Sequence, residues 1–195
     1  MSKVLQAMAL GVAAACALPA AAHEKVYAAP LLGSSEVPAA STPATGTARV
    51  TIDLDMVTMR VEADFSGLLG NVTAAHIHCC TPPGSNVMVA TQLPSFSGFP
   101  LGVTAGSYDR TFDLALADSY NPAFITGHGG TVGSAFNALV AGLDANQAYL
   151  NIHTNLFPGG EIRALLAPVP EPQAYALMLA GLVGVGAVMR RRRAA

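Results

Sequence analysis

The chain has 195 residues, of which 52% are hydrophobic and 11% are charged. Its ten basic and twelve acidic residues give a formal net charge of −2, but five basic residues, Lys3 and Arg190 to Arg193, lie at the two ends. The stretch between the ends therefore carries 5 − 12 = −7, and this charge excludes a nucleic-acid-binding protein. The part between the two terminal segments has roughly 145 residues and holds every acidic residue except Glu171. This length is typical of one domain.

The first 22 residues have the layout of a secretory signal peptide. Lys3 is followed by an apolar run, a proline and the small residues Ala20 to Ala22, which predicts export and cleavage after Ala22. A competing interpretation makes Cys16 a lipoprotein acceptor, but an alanine stands at the upstream position where such sites usually carry leucine. Cleavage after Ala22 leaves a domain over residues 23–168.

This domain shows the period-two alternation of half-buried β-strands. The segments "ARVTIDLDM" and "TMRVEADF" place apolar residues at every second position and predict a hairpin that turns near 56–58. Further strands are predicted at 25–32, 72–78, 107–114, 148–154 and 161–166. A short helix is expected at 134–141, closed by Gly142, and the segment 82–106 is rich in Pro, Gly and Ser and predicts a loop. The pattern predicts an all-β fold, an antiparallel sandwich or small barrel.

Two histidines lie two residues apart in the stretch "AHIHCC". In a strand, His76 and His78 point to the same face with Cα atoms about 6.6 Å apart, a spacing at which both imidazoles can bind one cation. His153 falls on the more polar face of the predicted strand 148–154. These three residues are candidate ligands for copper or zinc, and His128, in "GHGG", is a weaker fourth candidate. The alternative is a structural network in which each histidine is held by a backbone carbonyl.

Cys79 and Cys80 are the cysteines that remain once cleavage removes Cys16. In an oxidising compartment an intramolecular disulfide must then join neighbours. Adjacent Cα atoms are 3.8 Å apart across a trans peptide, below the usual disulfide range of about 4.4 to 6.8 Å. Three alternatives stay open at this point: a vicinal disulfide, intermolecular disulfides, or thiolate ligands that complete a His/Cys site for copper(I) or zinc.

Familiar catalytic motifs are missing from the sequence. It has no G-x-S-x-G elbow, no phosphate-binding glycine loop and no H-E-x-x-H motif. Glu161 and Arg163 in "GGEIR" share a strand face, which predicts a surface or cross-strand ion pair. The sequence therefore favours a protein that is not an enzyme.

The C-terminal segment 169–195 reads "VPEPQAYALMLAGLVGVGAVMRRRRAA". Residues 173–189 are apolar but for the first and predict a transmembrane helix of about 25 Å, with the four following arginines on the cytoplasmic side. The Pro170–Glu171–Pro172 lead, the helix and the arginine run resemble the PEP-CTERM sorting signal of Gram-negative bacteria. The resemblance implies an inner-membrane intermediate, cleavage near this lead by an exosortase, and delivery to the cell surface or extracellular matrix. A plain tail anchor is the alternative.

Three segments of the domain resemble the CHRD domain, a module named from chordin. They are "YAAPLLGSSEVPAASTPATGTARVTIDLD", "FSGLLGNVTAAHIH" and "LDANQAYLNIHTNLFPGGEIRALL", in family order over about 27–166. The resemblance implies an immunoglobulin-like β-barrel, distantly similar to Cu,Zn superoxide dismutases, with no established activity in bacteria. The double cysteine after His78 departs from the family, where glycine or proline is common.

Two classes of function follow from these observations. The favoured class is a non-catalytic surface or matrix module that binds extracellular protein or polysaccharide. The alternative is a secreted copper- or zinc-binding protein, including a redox enzyme that resembles superoxide dismutase. Superoxide dismutation itself is disfavoured, because copper needs further ligands and no metal-bridging histidine pattern is visible. Metal analysis of the mature domain would separate the classes.

Overall fold

The computed structural model describes residues 23–170 and 181–182. β-Strands make up most of the regular secondary structure of the described chain, as the alternation predicts. The described strands are β1 (Glu24–Leu32), β2 (Thr45–Asp53), β3 (Thr58–Ser66), β4 (Val72–Cys79), β5 (Gly106–Asp113), β6 (Ala148–Thr154), β7 (Ile162–Leu165) and the short β8 (Ala167–Pro168). The predicted hairpin is present as β2 and β3, which pair from Thr45 with Ser66 to Asp53 with Thr58.

The described strands form one antiparallel sheet in the order β4-β6-β7-β1-β2-β3-β5, with β8 beside β1. The sheet curls into a half-barrel, so the prediction of an all-β antiparallel fold is confirmed. Its order matters for the site, because β6 pairs with β4 on one side and with β7 on the other. Side chains at matching positions of these three strands therefore share a face.

Within residues 23–170 the structure has two α-helices, of which the second packs against the sheet and the first packs against the second. The first, α1 (Pro122–Gly127), begins with a proline after the N-cap Asn121, whose side chain accepts a hydrogen bond from the backbone of Ala123. The second, α2 (Val132–Asp144), begins with a capping box between Thr131 and Ser134.

The sequence placed the end of the second helix at Gly142, and that boundary is wrong. The helix continues to Asp144. Gly142 lies inside it because a side chain there would collide with the sulfur atoms of Cys79 and Cys80. This glycine therefore serves a close packing contact rather than a helix end.

One face of β4, β6 and β7 builds the core and the other carries polar groups. The core face includes Ile77, Leu150 and Ile162, all fully buried, and α2 adds Leu139 and Leu143. The predicted loop at 82–106 follows the outer edge of β4. Its backbone donates hydrogen bonds to β4, from Ala90 to Ile77 at 2.9 Å and from Phe96 to Ala75 at 3.0 Å. The loop thus covers an edge that would otherwise expose unpaired backbone groups.

The predicted signal peptide 1–22 lies outside the described residues, as does nearly all of the predicted transmembrane segment 173–189. Within residues 23–170 and 181–182, no helix is long and apolar enough to cross a membrane.

Candidate metal centre

The neighbouring strands β4 and β6 bring three histidines together. In the register of this pair, Ala74 lies opposite His153, His76 opposite Asn151 and His78 opposite Tyr149. Because side chains alternate along a strand, His76, His78 and His153 share the polar face. The ring centroid of His153 is 5.2 Å from that of His76 and 5.9 Å from that of His78. The sequence placed these histidines on matching faces, and the tertiary structure makes their strands neighbours.

Each of these imidazoles has one nitrogen held by a backbone carbonyl. His76 Nε2 donates to Pro94 O at 2.6 Å and His78 Nδ1 donates to Val87 O at 2.7 Å. His153 Nδ1 donates to Pro158 O at 2.9 Å. A carbonyl only accepts, so each of these nitrogens must carry the proton. The opposite nitrogen of each neutral ring is then left with a free lone pair.

The three free nitrogens face one another in a buried space. His76 Nδ1, His78 Nε2 and His153 Nε2 are buried and lack a hydrogen-bond partner. As candidate ligand atoms, the three histidines lie within 4.8 Å of one another. Three lone pairs without a donor are chemically unsatisfied, and a cation would satisfy them together. A carbonyl on the second nitrogen is also the usual support of a metal-bound histidine. The residues therefore fit a transition-metal ion.

Burial keeps the three rings neutral. The side chains of His76 and His78 are only 6% and 9% exposed. Desolvation lowers the pKa of all three histidines, and it lowers the pKa of His78 to about 4 although the Val87 carbonyl opposes the shift. At neutral pH the rings are therefore unprotonated, which is the form that binds a metal.

A buried network supports the ring of His78. The ring stacks on Tyr149, with centroids 4.7 Å apart and planes 7° apart. On the neighbouring strand β7, the guanidinium of Arg163 lies 3.9 Å from the centroid of the Tyr149 ring. Arg163 pairs with Glu36 at 2.8 Å, and their side chains are 1% and 3% exposed. The hydroxyl of Tyr149 accepts a hydrogen bond from the backbone N–H of Val87, whose carbonyl holds His78.

Glu161 and Arg163, for which the sequence predicts a surface or cross-strand ion pair, do not pair with each other. Both are buried, and Arg163 pairs with Glu36 instead. The Glu161 carboxylate accepts hydrogen bonds from four neutral groups, the hydroxyls of Thr42 and Thr154 and the backbone N–H groups of residues 69 and 70. The supporting roles of Glu36 and Arg163 are not predicted by the sequence. The available indication was that both residues lie in segments that resemble the CHRD domain, Glu36 in "SEVP" and Arg163 in "GGEIR".

Cys79 and Cys80 are joined by a disulfide in the structure, across a cis peptide bond. Cys79 lies on the core face of β4, opposite to the face of the histidines, and both sulfur atoms pack against Gly142 of α2. Neither cysteine belongs to the histidine group. The hypothesis that thiolates complete the metal site is therefore not supported by the geometry, because the sheet separates the sulfurs from the imidazoles.

The remaining predicted residues lie elsewhere. His128 follows α1, donates from Nδ1 to Phe124 O at 2.9 Å and packs at a tilt against the Phe124 ring, so it is not part of the candidate site. Pro170 ends the first described range, and Glu171 and Pro172 lie outside the described residues.

The metal-free protein should lose stability on acidification because its buried histidines resist protonation. Unfolded histidines titrate near 6.5, whereas the pKa of His78 in the folded protein is about 4. Between these values the unfolded chain binds more protons, so the free energy of unfolding is highest above pH 6.5 and falls as pH drops. The loss from His78 alone should reach about 3 kcal/mol near pH 4.

Urea unfolding at pH 7, 5.5 and 4.5 measures this loss. A His78→Asn variant is the matched comparison, because asparagine keeps a donor for the Val87 carbonyl but does not titrate. Its stability should fall less steeply over the same range. Equal slopes for the two proteins would contradict the depressed pKa of His78.

Two family comparisons match the chain. A sequence model of the CHRD domain matches residues 27–166, and one of the PEP-CTERM protein-sorting motif matches residues 168–193. Comparison with curated proteins and with solved structures finds no match. The sorting motif indicates export in a Gram-negative bacterium, with a membrane-anchored intermediate that is processed by exosortase-type machinery.

Proposed function

Because the chain belongs to the CHRD domain family and ends in a PEP-CTERM sorting motif, we propose that it is an exported metal-binding protein. Its CHRD domain binds copper or zinc through His76, His78 and His153. The observation that carries the proposal is the set of three buried imidazole nitrogens that face one another without hydrogen-bond partners. The domain boundaries that go with it are a signal peptide 1–22, a β-domain 23–168 and a sorting segment 169–195.

The three imidazole ligands determine the chemistry of the proposed site. Three neutral imidazoles leave a bound cation with its full charge and with room for one more ligand. Such an ion would act as a Lewis acid in a buried environment. The protein's own part is to hold three nitrogens unprotonated and to fix the ring of each histidine through a carbonyl. The proposal is limited to binding and includes no catalytic step.

Isothermal titration calorimetry of the metal-free exported protein with Cu²⁺ and with Zn²⁺ tests the proposal. We expect one equivalent of metal to bind with a dissociation constant below about 1 μM, a free energy near −8 kcal/mol. The variant His153→Asn keeps a donor for the Pro158 carbonyl but loses the ligand nitrogen, and it should bind at least about 100-fold more weakly.

The variant His128→Asn is the matched control. His128 also donates from Nδ1 to a backbone carbonyl, but it lies outside the cluster, so this change should leave metal binding intact. A wild-type protein that binds neither metal more tightly than millimolar concentrations would overturn the proposal.

The second candidate function is that of a surface or matrix module that binds an extracellular polymer. This function is compatible with metal binding by the same domain. It is supported by the sorting motif and by an open cavity of about 510 Å³ between two loops, residues 36–41 and 156–160. Pro38, Phe157 and Pro158 line this cavity, and rings and prolines of this kind suit a segment of extracellular polysaccharide or protein. Placement at the cell surface or in the extracellular matrix is part of this candidate.

A further inference from the structure

Asn151 carries an unsatisfied atom beside the three histidines. Within the described residues, four buried side-chain nitrogen or oxygen atoms lack a hydrogen-bond partner, and three of them are the histidine nitrogens. The fourth is Asn151 Oδ1, on a side chain that is 1% exposed. Buried polar groups are nearly always paired, so an isolated exception needs an explanation. Here all four unpaired atoms belong to one face of the β4–β6 pair.

The orientation of the Asn151 amide follows from its partner. Asn151 Nδ2 donates to Glu36 Oε1 at 2.7 Å. Glu36 pairs through Oε2 with the Arg163 guanidinium, as a carboxylate does. A carboxylate only accepts, so the amide nitrogen faces Glu36 and the oxygen faces away from it. Gly160 packs against this nitrogen, since a side chain at that position would collide with it. The amide is thereby held in one orientation.

The strand order places that oxygen on the side of the histidines. In β7, Arg163 lies opposite Asn151, and Arg163 holds Glu36. In β4, on the other side of β6, His76 lies opposite Asn151. The amide nitrogen of Asn151 donates to Glu36, which lies on the β7 side because it pairs with Arg163. The amide oxygen is therefore directed toward β4. Directly opposite residues of paired strands are close enough for their side chains to meet.

We propose that Asn151 is a fourth protein group of the cation site, with its carboxamide oxygen turned toward the cation. The inference rests on the proposed metal binding. It explains why all four unpaired atoms are acceptors, because a cation satisfies acceptors and a hydrogen-bond donor could satisfy only some of them. Glu36 takes the role of a positioning residue that fixes the amide.

The proposed donor set has a consequence for metal selectivity. Three nitrogens and one neutral oxygen suit Zn²⁺ and Cu²⁺, whereas Cu⁺ favours soft ligands and binds three nitrogens readily without an oxygen. Loss of the Asn151 oxygen should therefore weaken the binding of the two dications more than the binding of Cu⁺.

The variant Asn151→Leu tests the inference in the full exported protein. Affinities for Zn²⁺ and Cu²⁺ should fall about 10- to 100-fold, the affinity for Cu⁺ should change less than about threefold, and the Cu²⁺ electron paramagnetic resonance spectrum should change. The matched control is Asn86→Leu. Asn86 is exposed and accepts a hydrogen bond from Arg163, so its loss removes one partner of Arg163 but leaves the contact between Asn151 and Glu36 in place. Its affinities and spectrum should stay those of the wild type.

A second measurement needs no variant and covers the case in which Asn151→Leu does not fold. In the wild type, the side-chain carboxamide carbon of Asn151 should shift on Zn²⁺ binding in a nuclear magnetic resonance spectrum, and that of Asn86 should not. An unshifted Asn151 signal in a zinc-loaded protein overturns the inference. So does an equal loss of affinity for all three ions, or the same loss in Asn86→Leu. In those cases the metal site itself stands, whereas a wild type that binds no metal overturns both proposals.

Discussion

Replacing Arg163 by Met should lower the free energy of unfolding by about 3 to 5 kcal/mol, because it leaves the Glu36 carboxylate buried without its cation. Arg163 donates to Glu36 through Nε at 3.0 Å and lies 2.8 Å from it through Nη2, and it also donates to Asn86. A loss of this size is a large part of the stability of an ordinary domain, which is about 5 to 15 kcal/mol. Thermal and urea unfolding measure it.

The pH dependence of this loss identifies its cause. Burial raises the pKa of Glu36 to about 7, even though the charge and hydrogen bonds of Arg163 lower it. Without Arg163 the pKa should rise further. A carboxyl with a raised pKa in the folded state favours folding at low pH and disfavours it as pH rises. The Arg163→Met variant should therefore lose more stability at pH 8 than at pH 5.

Two comparisons separate the buried pair from charge in general. The double variant Glu36→Gln with Arg163→Met removes both charges and should recover part of the stability. The variant Arg60→Met breaks an exposed pair with Asp109 and should leave the melting temperature nearly unchanged, because exposed pairs contribute little. If Arg163→Met melts like the wild type at pH 8, the buried pair of Glu36 and Arg163 does not stabilise the fold.

Replacing Gly142 by Ala should lower the free energy of unfolding by about 1 to 3 kcal/mol, the usual cost of an overpacked core. Alanine is the better helix former by about 1 kcal/mol, so helix propensity alone predicts the opposite sign. The new methyl group would meet Cys79 Sγ and would lie 2.8 Å from Cys80 Sγ. The buried C-terminal end of β4 and the body of α2 would have to move apart.

The same helix contains the control for this change. A side chain at Gly133 meets no atom within 4 Å, so Gly133→Ala should raise the free energy of unfolding by up to about 0.5 kcal/mol. Thermal melts of the two variants under oxidising conditions should shift in opposite directions. In a background with both Cys79 and Cys80 replaced by Ala, the cost of Gly142→Ala should shrink, since the sulfurs are gone. An unchanged cost there would mean that another contact causes it.

The fold was largely predictable because several strands, most clearly β2 and β3, are half-buried. In β2 and β3, apolar side chains alternate with charged ones, and the burial of these strands alternates in the same way. The end of α2 was not predictable, because Gly142 ends a helix by propensity but lies inside this one through a contact with distant residues. Local rules describe a segment, and such a contact depends on another part of the chain.

The candidate site was predictable in its ligand residues and unpredictable in its surroundings. The His-x-His spacing fixes a shared face for His76 and His78, because alternation along a strand is a local property. The carbonyls of Val87, Pro94 and Pro158 that hold the rings come from irregular backbone, which has no period in the sequence. The partners Glu36 and Arg163 are 127 residues apart, too far for spacing to relate them.

The sequence by itself determined the sorting motif, the all-β class and the face on which each of the three candidate ligand histidines lies. These properties depend on composition, order and alternation over short stretches of chain. The tertiary structure alone decided that β4 and β6 are neighbours, that the free nitrogens of the three histidines are buried, and that the two sulfurs lie on the opposite face of the sheet. Each of these depends on which distant segments pair and pack together, and strand pairing joins residues far apart in the sequence by contacts that no local pattern records.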